Sequence, residues 1–570
     1  MSVSGTRTER SSASWTVSVW IPAILGFVGS MAVMAGSLSV GWLASVSPIN
    51  RWGWLIPWRT TESGVITGTM VLTLGCWLMF WGWLRLGRVL RPFGPGALRI
   101  VTLTTTAWIL PLMACLPIFS RDIFAYIGQG RLMIAGRDPY EDGISTLSNW
   151  FQLGADTTWA QTETPYGPVF LWIEQLVMAV AGPDDPDLAI FLFRLVAVAG
   201  VVLIMIYVPK LATLLGTNAA QAQWITVANP LFLISFVASG HNDALMVGLA
   251  VAGVWYAATN RGLLGVLLVT ASLGIKPITM VLLPFVGLLW AGRGASWARR
   301  FGYWFLTAGI AGAIMIVVGL LNEFGFGWLT VMLGTGTGSV PWSPVGILAE
   351  GTKVVLGSLG IEDNWVLDAF KTAGRLLSVL IVIWLMFRGR YEHLMQRLTW
   401  AFTALVVLTP IIQPWYLLWL LPFFAVLGIR NDWQLKWVVF TVAFFLAFGA
   451  ADQLFVWQFL GIGEQLAHLA TFVSWACMLW ILLLDPWTSS IMKEEWHVRA
   501  ALRRTVARLR GRAATSDASD ASDGLVSSTA PGAPAGVVPT GRPDRTAGQA
   551  GDETGDEAED ERAGQGTTPS

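Results

Sequence analysis

Apolar runs of near 20 residues, separated by short polar breaks, recur along most of this chain and set its secondary structure before any motif is considered. They fall near residues 15–43, 65–86, 98–118, 188–208, 221–239, 243–258, 262–275, 277–291, 301–321, 366–387, 398–411, 414–428, 434–450 and 465–484. A helix of about 20 residues rises about 30 Å, the thickness of a hydrocarbon layer. The pattern predicts an all-α polytopic membrane protein with about 14 transmembrane helices. A further apolar piece, 168–182, is short, carries Glu174 and Gln175, and is expected not to cross fully.

Helical spacing also marks a shorter element in the outer loop expected at 119–187. From Arg121 to Ala135 no proline interrupts, and Asp122, Tyr126, Gln129 and Met133 fall on one stripe. Ile123, Ile127, Gly130 and Ile134 form the adjoining stripe. Such a helix is expected to lie along the membrane surface with its polar stripe facing a cavity.

Composition agrees with the pattern. Of 570 residues, 54% are hydrophobic and 13% charged, and the mean hydropathy of +0.59 excludes an ordinary soluble multidomain protein. The 32 tryptophans suit helix ends at headgroup level. Net charge is zero but averages unlike segments, and no nucleic-acid partner is expected. Cys76, Cys115 and Cys477 all lie in apolar runs, which argues against a disulfide framework or a zinc site. No GxxxxGK[ST] loop is present, against a nucleotide-driven pump. The run at 15–43 is too long for a signal peptide and is expected to remain as a span.

Short cytoplasmic loops are enriched in Arg and Lys. That rule puts Arg7 and Arg10 inside, with residues 1–14 as a cytoplasmic N-terminus, and Arg85, Arg88, Arg91 and Arg99 inside as well. Arg121 and Asp122 then face outside. With 168–182 not crossing, Lys210, Arg261, the Arg293/Arg299/Arg300 cluster, Arg388/Arg390/Arg397 and Arg430/Lys436 fall inside. The expectation is a multi-pass plasma-membrane protein with both termini cytoplasmic and its site outside. Residues 15–485 are expected to form the transmembrane domain, 486–512 a basic amphipathic helix on anionic lipid, and 513–570 a disordered cytoplasmic tail.

Five stretches are candidates for chemistry. In "CLPIFSRDIFAYIGQGRLMIAGRDPYEDG" (115–143) Arg121 and Asp122 abut the end of a hydrophobic run, either as a charged site or as cap and snorkelling headgroup contact. "TETPYGPVF" (162–170) is a stiff bend with Tyr166 at its apex, suited to stacking on a ring or mere loop punctuation. "ANPLFLISFVASGHNDALMVG" sets His241, Asn242 and Asp243 between two apolar runs. Lys276-Pro277 interrupts a stretch of nearly 30 apolar residues, where a lysine calls for an anionic headgroup or for snorkelling. "TPIIQPWYLLW" (409–419) presents Gln413, Trp415 and Tyr416 as an aromatic belt or a binding lip.

In order, Ser-Arg-Asp after a span, "GRDPY", "TPYGP", "NPL…GHND" and "KP" resemble one group of the GT-C glycosyltransferases. The likeness is greatest to the actinobacterial polyprenol-phosphate-mannose-dependent α-1,6-mannosyltransferases of lipomannan and lipoarabinomannan, over roughly residues 15 to 485. What the resemblance implies is a polyprenyl-phosphate-mannose donor, a mannan glycolipid acceptor, and Asp122 as general base with inversion at the anomeric carbon. The leaving phosphate needs cations, for which Arg121, Lys276 and His241 are the candidates. Sugar or acceptor contacts are expected from Tyr126, Gln129, Tyr140, Tyr166, Asn242, Asp243, Trp415 and Tyr416. Some GT-C enzymes use a divalent metal, but the resemblance to those with lipid-monophosphate donors implies no cofactor and no metal ligand, and the sequence shows no carboxylate cluster around Asp122 beyond Asp138, Glu141 and Asp142. The competing readings are a GT-C transferase for arabinofuranose or protein O-mannosylation, or a lipid-linked sugar flippase, for which the chain lacks a clear internal repeat.

Overall fold

The structure, a computed structural model, describes residues 10–322, 324–334, 343–361, 363–430, 433–452 and 461–493. The chain divides into two units, Met1–Val498 and Arg499–Ser570, and the second lies outside the described residues. So do most of the amphipathic stretch expected at 486–512 and all of the tail expected at 513–570.

Every regular element among the described residues is helical. The chain opens with α1 (Arg10–Val40), α2 (Glu62–Leu90) and α3 (Ala97–Leu112), followed by α4 (Asp122–Ile134) and α5 (Pro168–Ala181). Then come α6 (Pro186–Leu214), α7 (Pro230–Ala238), α8 (Asp243–Ala258), α9 (Gly262–Leu273) and α10 (Pro277–Ala291). The later helices used below are α11 (Trp297–Leu321), α12 (Val366–Phe387), α13 (Pro414–Leu427), α14 (Trp433–Asp452) and α15 (Gly463–Leu484). Local chemistry sets their starts: Thr61 Oγ1 accepts from Gly64 N at 3.1 Å, Asp185 Oδ1 from Leu188 N at 3.0 Å, and Asn229 Oδ1 from Leu231 N at 3.0 Å. Pro186 and Pro230 follow their caps at the first helical position, where a missing N–H costs nothing.

Seven described helices, in α1, α2, α6, α11, α12, α14 and α15, are long and apolar enough to cross a membrane, and the chain is a multi-pass membrane protein. The expected count of about 14 is not reached by helices of that length. The runs near 98–118, 262–275, 277–291 and 414–428 form shorter helices, and α7 with α8 makes a pair bent by 116°. Each stops at a polar or proline break: Pro117, Asn229-Pro230, Gly240 to Asp243, Lys276-Pro277, Gln413-Pro414. Backbone freed of helical bonding at membrane depth must be buried in protein or line a cavity. The breaks therefore mark where the bundle must seal the chain in protein or open a cavity beside it.

Its two ends differ in composition. At one, Asn218 Nδ2 donates to Phe93 O (3.1 Å), Gln221 Nε2 to Ile429 O (3.1 Å) and Thr217 Oγ1 to Val426 O (2.8 Å), beside Arg85, Arg88 and Asp485. At the other, Ser47 Oγ donates to Asp187 Oδ2 (2.6 Å), Trp42 N to Pro117 O (2.8 Å) and Ser45 N to Gln152 O (2.8 Å). Both ends of α5 sit here, since Val169 N donates to Gly274 O at 2.8 Å and the chain after Gly182 leads to Asp187. At 14 residues α5 is about 21 Å long, short of a crossing.

Two expectations change. α4 does not lie on the surface: ten of its 13 residues, Ile123 to Gly130 with Leu132 and Met133, are buried. α5 and α6 cover one side, while the loop carrying Ile144 and Ala155 covers another. Nor are the tryptophans confined to a headgroup belt. Trp83 and Trp224 are fully buried, stacked at 5.1 Å, and exchange hydrogen bonds, each indole N–H donating to the other's carbonyl (2.9 and 2.8 Å). A buried indole is tolerated once its N–H is matched.

Candidate active site

Three chain breaks deliver the polar residues. The first is the segment after α3, which turns at Ser120, whose Oγ accepts from Asp122 N at 3.1 Å, so that Asp122 opens α4. The second is the α7–α8 break. There α7 ends in a π-helical turn, Ile234–Ala238, a form common at functional sites. Gly240 follows with φ +73°, a left-handed conformation open to glycine, and a Cβ there would meet Ile123 Cδ1 at 2.6 Å. α8 is drawn against α6 by Gly200, where a Cβ would lie 2.2 Å from Ala244 C. The third is the α9–α10 tip, Lys276-Pro277. The 12 residues of α9 rise about 18 Å from Arg261, which leaves Lys276 short of a full crossing and recessed in the bundle.

These breaks meet. His241 Nε2 lies 3.7 Å from Asp122 Oδ2; the histidine side chain is fully buried and that of Asp122 is 13% exposed. His241 Nδ1 is 2.7 Å from Ser235 O, and a carbonyl only accepts, so Nδ1 carries the hydrogen. Nε2 is then left facing the carboxylate, and the two together hold at most one shared proton or a bridging hydroxyl. Trp415 stacks on the imidazole at 4.1 Å. Asp243, fully buried, pairs through Oδ1 with Lys276 Nζ at 2.6 Å, and the ammonium is ringed by Tyr166 (5.4 Å), Tyr416 (5.6 Å) and Trp419 (5.1 Å). Burial pushes the Asp122 carboxyl above the usual carboxylate range, against the pull of His241 and Lys276.

Beside Asp122 opens a cavity of about 240 Å³, room for several waters or a sugar ring, lined among others by Trp42, Arg121, Trp159, His241, Gln413 and Trp415. Among the described residues, His241 Nε2, both amide atoms of Asn242, Asp243 Oδ2 and the indole N–H groups of Trp415 and Trp419 have no hydrogen-bond partner. Buried polar atoms are seldom left so, and a cluster of them marks a place prepared for a ligand.

Not every expected residue joins this cluster. Arg121 lines the cavity, yet its guanidinium is engaged by Gly154 O (2.6 Å), Ala155 O (3.1 Å) and Asp156 Oδ2 (3.0 Å) and lies 4.2 Å from the Trp42 ring. It ties the outer loop to the start of α4. Of the eight residues expected to face a sugar, Trp415 lines the cavity and seven do not: Asn242, Asp243 and Tyr416, and four held by the outer loop. Gln129 Oε1 accepts from Thr164 Oγ1 (3.1 Å) and Tyr140 OH donates to Tyr166 O (3.0 Å), binding that loop to itself. Tyr126 and Tyr166 are buried with Phe170 in a cluster of edge-to-face rings. The reason is the same one that buried α4: the loop folds back over it. Asn242 N donates to Tyr126 OH at 3.4 Å, so this cluster supports the second break from behind.

Sequence reading missed Trp42, Asp156 and Trp159, which carry no local signal, and Arg194, which did carry one. An arginine inside "FLFRLVAV" should have been flagged, because an ionisable residue in a span is functional by default. Among the described residues no group of three His, Cys, Asp or Glu side chains is arranged to hold a metal ion.

A family model described as alpha-(1->6)-mannopyranosyltransferase, N-terminal domain, matches residues 23–292, and one for the MptB C-terminal domain matches 344–484. Alpha-(1->6)-mannopyranosyltransferase A of Mycobacterium tuberculosis is 30% identical over 415 residues, 70% of this chain and 78% of the relative. The chain belongs to this mannopyranosyltransferase family. A probable alpha-(1->6)-mannopyranosyltransferase of Mycolicibacterium smegmatis is 33% identical, over 61% of this chain and 68% of the relative. The Corynebacterium glutamicum alpha-(1->6)-mannopyranosyltransferase A is 26% identical, over 75% and 92%. No solved structure matches the chain. Both family matches fall within the helical unit, and the N-terminal one contains Asp122, His241, Asp243 and Lys276.

Proposed function

We propose that this family member is a mannosyltransferase that moves mannose from polyprenyl-phosphate-mannose onto an α-(1→6)-mannan glycolipid at the outer face of the plasma membrane. The observation that carries the reading is the meeting of Asp122, His241, Asp243 and Lys276, from three separate breaks, beside an aromatic-lined cavity. Asp122 takes the proton of the acceptor hydroxyl as that oxygen bonds to the anomeric carbon. The bond from anomeric carbon to phosphate oxygen breaks with its electron pair staying on phosphate, and polyprenyl phosphate departs. One displacement inverts a β donor to an α product.

Lys276 meets the departing phosphate. Its ammonium has three N–H donors, of which Asp243 takes one. Arg121 is committed to the outer loop and serves the cavity wall rather than the phosphate. His241, held by Ser235 O and Trp415, orients the Asp122 carboxylate. The acceptor occupies the cavity, where Trp42, Trp159 and Trp415 offer flat faces to sugar rings. The arginine-rich end opposite the site supports cytoplasmic placement of that end and outward placement of the cavity.

The test is transfer by the purified chain in vesicles containing radiolabelled polyprenyl-phosphate-mannose and a dimannosyl glycolipid acceptor. The expected product is one mannose longer, sensitive to an α-(1→6)-specific mannosidase, and absent with a nucleotide-mannose alone. Transfer directly from the nucleotide sugar, or no transfer from the lipid-linked donor, would overturn the reading.

A further inference from the structure

Arg194 is the ninth residue of α6, a helix of 29 residues with the hydropathy of a full span, and is 3% exposed. A buried guanidinium is costly unless its charge and donors are met. Among the described residues no carboxylate pairs with it. Its partners are carbonyls: Nε lies 3.2 Å from both Val237 O and Ala238 O, Nη2 donates to Ala238 O at 2.7 Å, and Nη1 to Met113 O at 3.3 Å.

Those carbonyls belong to two chain ends. Met113 caps α3, and Val237 and Ala238 close α7. A helix C-terminus carries about half a negative charge, so two of them converging suit one cation. Both ends lead directly into the site: from Met113 the chain runs to Asp122, and from Ala238 it reaches His241 three residues later. Ser239 Oγ joins the same two segments by donating to Ile118 O at 2.6 Å. A Cβ on Gly240 would lie 3.5 Å from Arg194 Cγ, so the clamp abuts the histidine loop itself.

We infer that Arg194 is a positioning residue for sugar transfer, its guanidinium clamping the ends of α3 and α7 so that Asp122 and His241 face one another at the cavity wall. This rests on Asp122 being the reaction centre. The planar fork is what the task needs, since it reaches carbonyls on two segments at once; a lysine keeps the charge but is a single point donor. A displacement near 1 Å at a reacting group costs on the order of a hundredfold in rate.

The experiment measures kcat and KM of full-length R194K, S239A and D122N in vesicles, per folded molecule counted by size exclusion. R194K is expected to lose about a hundredfold in kcat with KM for donor and acceptor within about twofold, and S239A about tenfold with the same split. Wild-type kcat in folded R194K, or a loss that only tracks its folded fraction, overturns the clamp. If R194K does not fold, S239A decides alone, and wild-type kcat there overturns it. D122N separates the two readings: an inactive D122N beside a fully active R194K sinks only the clamp, whereas an active D122N sinks the site assignment beneath it.

Discussion

The two ends of the bundle each bury or half-bury an aspartate among aromatic rings and a cation, and they treat it in opposite ways. At the arginine end Asp485 accepts from Trp81 Nε1 (3.1 Å), Arg85 Nη2 (3.2 Å), Thr488 N (3.1 Å) and Thr488 Oγ1 (2.8 Å). Arg85 in turn lies 4.0 Å from the Trp81 ring, and Arg88 donates to Trp487 O and Ser490 Oγ. At the other end Asp243 has Lys276 on one oxygen and, among the described residues, nothing on the other, and Asp122 looks at a histidine 3.7 Å away beside an open cavity. A carboxylate with four donors is a fastener. A carboxylate left short of donors is ready to take a proton or hold a sugar hydroxyl, and the helix breaks around it exist to keep it so.

Breaking the comparison at the reactive end should have the largest effect. D122N removes the base and is expected to lower transfer about a thousandfold while the protein stays monodisperse, as general bases contribute roughly 10²–10⁴; transfer assays on purified protein check both. Next comes K276M, which strands a fully buried Asp243. Breaking a buried pair costs about 3–5 kcal/mol, read as a lower melting temperature in detergent. The double variant K276M/D243N should recover most of that stability and none of the transfer, which separates fastening from chemistry. At the arginine end D485N is expected to cost about 2 kcal/mol of stability, in the range of charge-assisted hydrogen bonds, with kcat unchanged. A fall in kcat per folded molecule there would erase the distinction between the ends.

The smallest effect sharpens the comparison through pH. Asp122 must be ionised to act, so transfer is lost as pH falls through its pKa, which burial raises above the ordinary 3.8. The acid limb of kcat/KM should therefore lie above that value and move higher still in K276M, whose lost positive charge no longer favours the carboxylate. A limb that stays in place in K276M would remove Lys276 from the electrostatics of the base.

Much of this site was legible as a list of breaks. Asp122 and the Gly-His-Asn-Asp stretch stand out because polar residues are rare beside apolar runs, and Lys276 because it interrupts one. The likeness to the mannosyltransferase family was legible too, carried by the order of those breaks. Arg121, Gln129 and Tyr140 were equally conspicuous yet turned out to tie the outer loop to itself and to α4. A polar side chain beside a cavity and one sealed a few ångströms away have the same local sequence. Arg194 was conspicuous in its apolar run, but its task was not legible, because its partners are backbone carbonyls, which every residue type presents.

What the sequence determined by itself was the class of molecule and where its helices stop, because apolar length and proline or glycine placement act locally. Tertiary structure decided which stops meet. Whether α5 returns to the end it left, whether α4 lies on lipid or under a loop, and which cation faces which carboxylate depend on contacts between residues far apart in the chain. Asp243 and Lys276 are 33 positions apart, Asp122 and His241 farther, and nothing in a stretch of neighbours encodes a distance of 2.6 or 3.7 Å across such a gap.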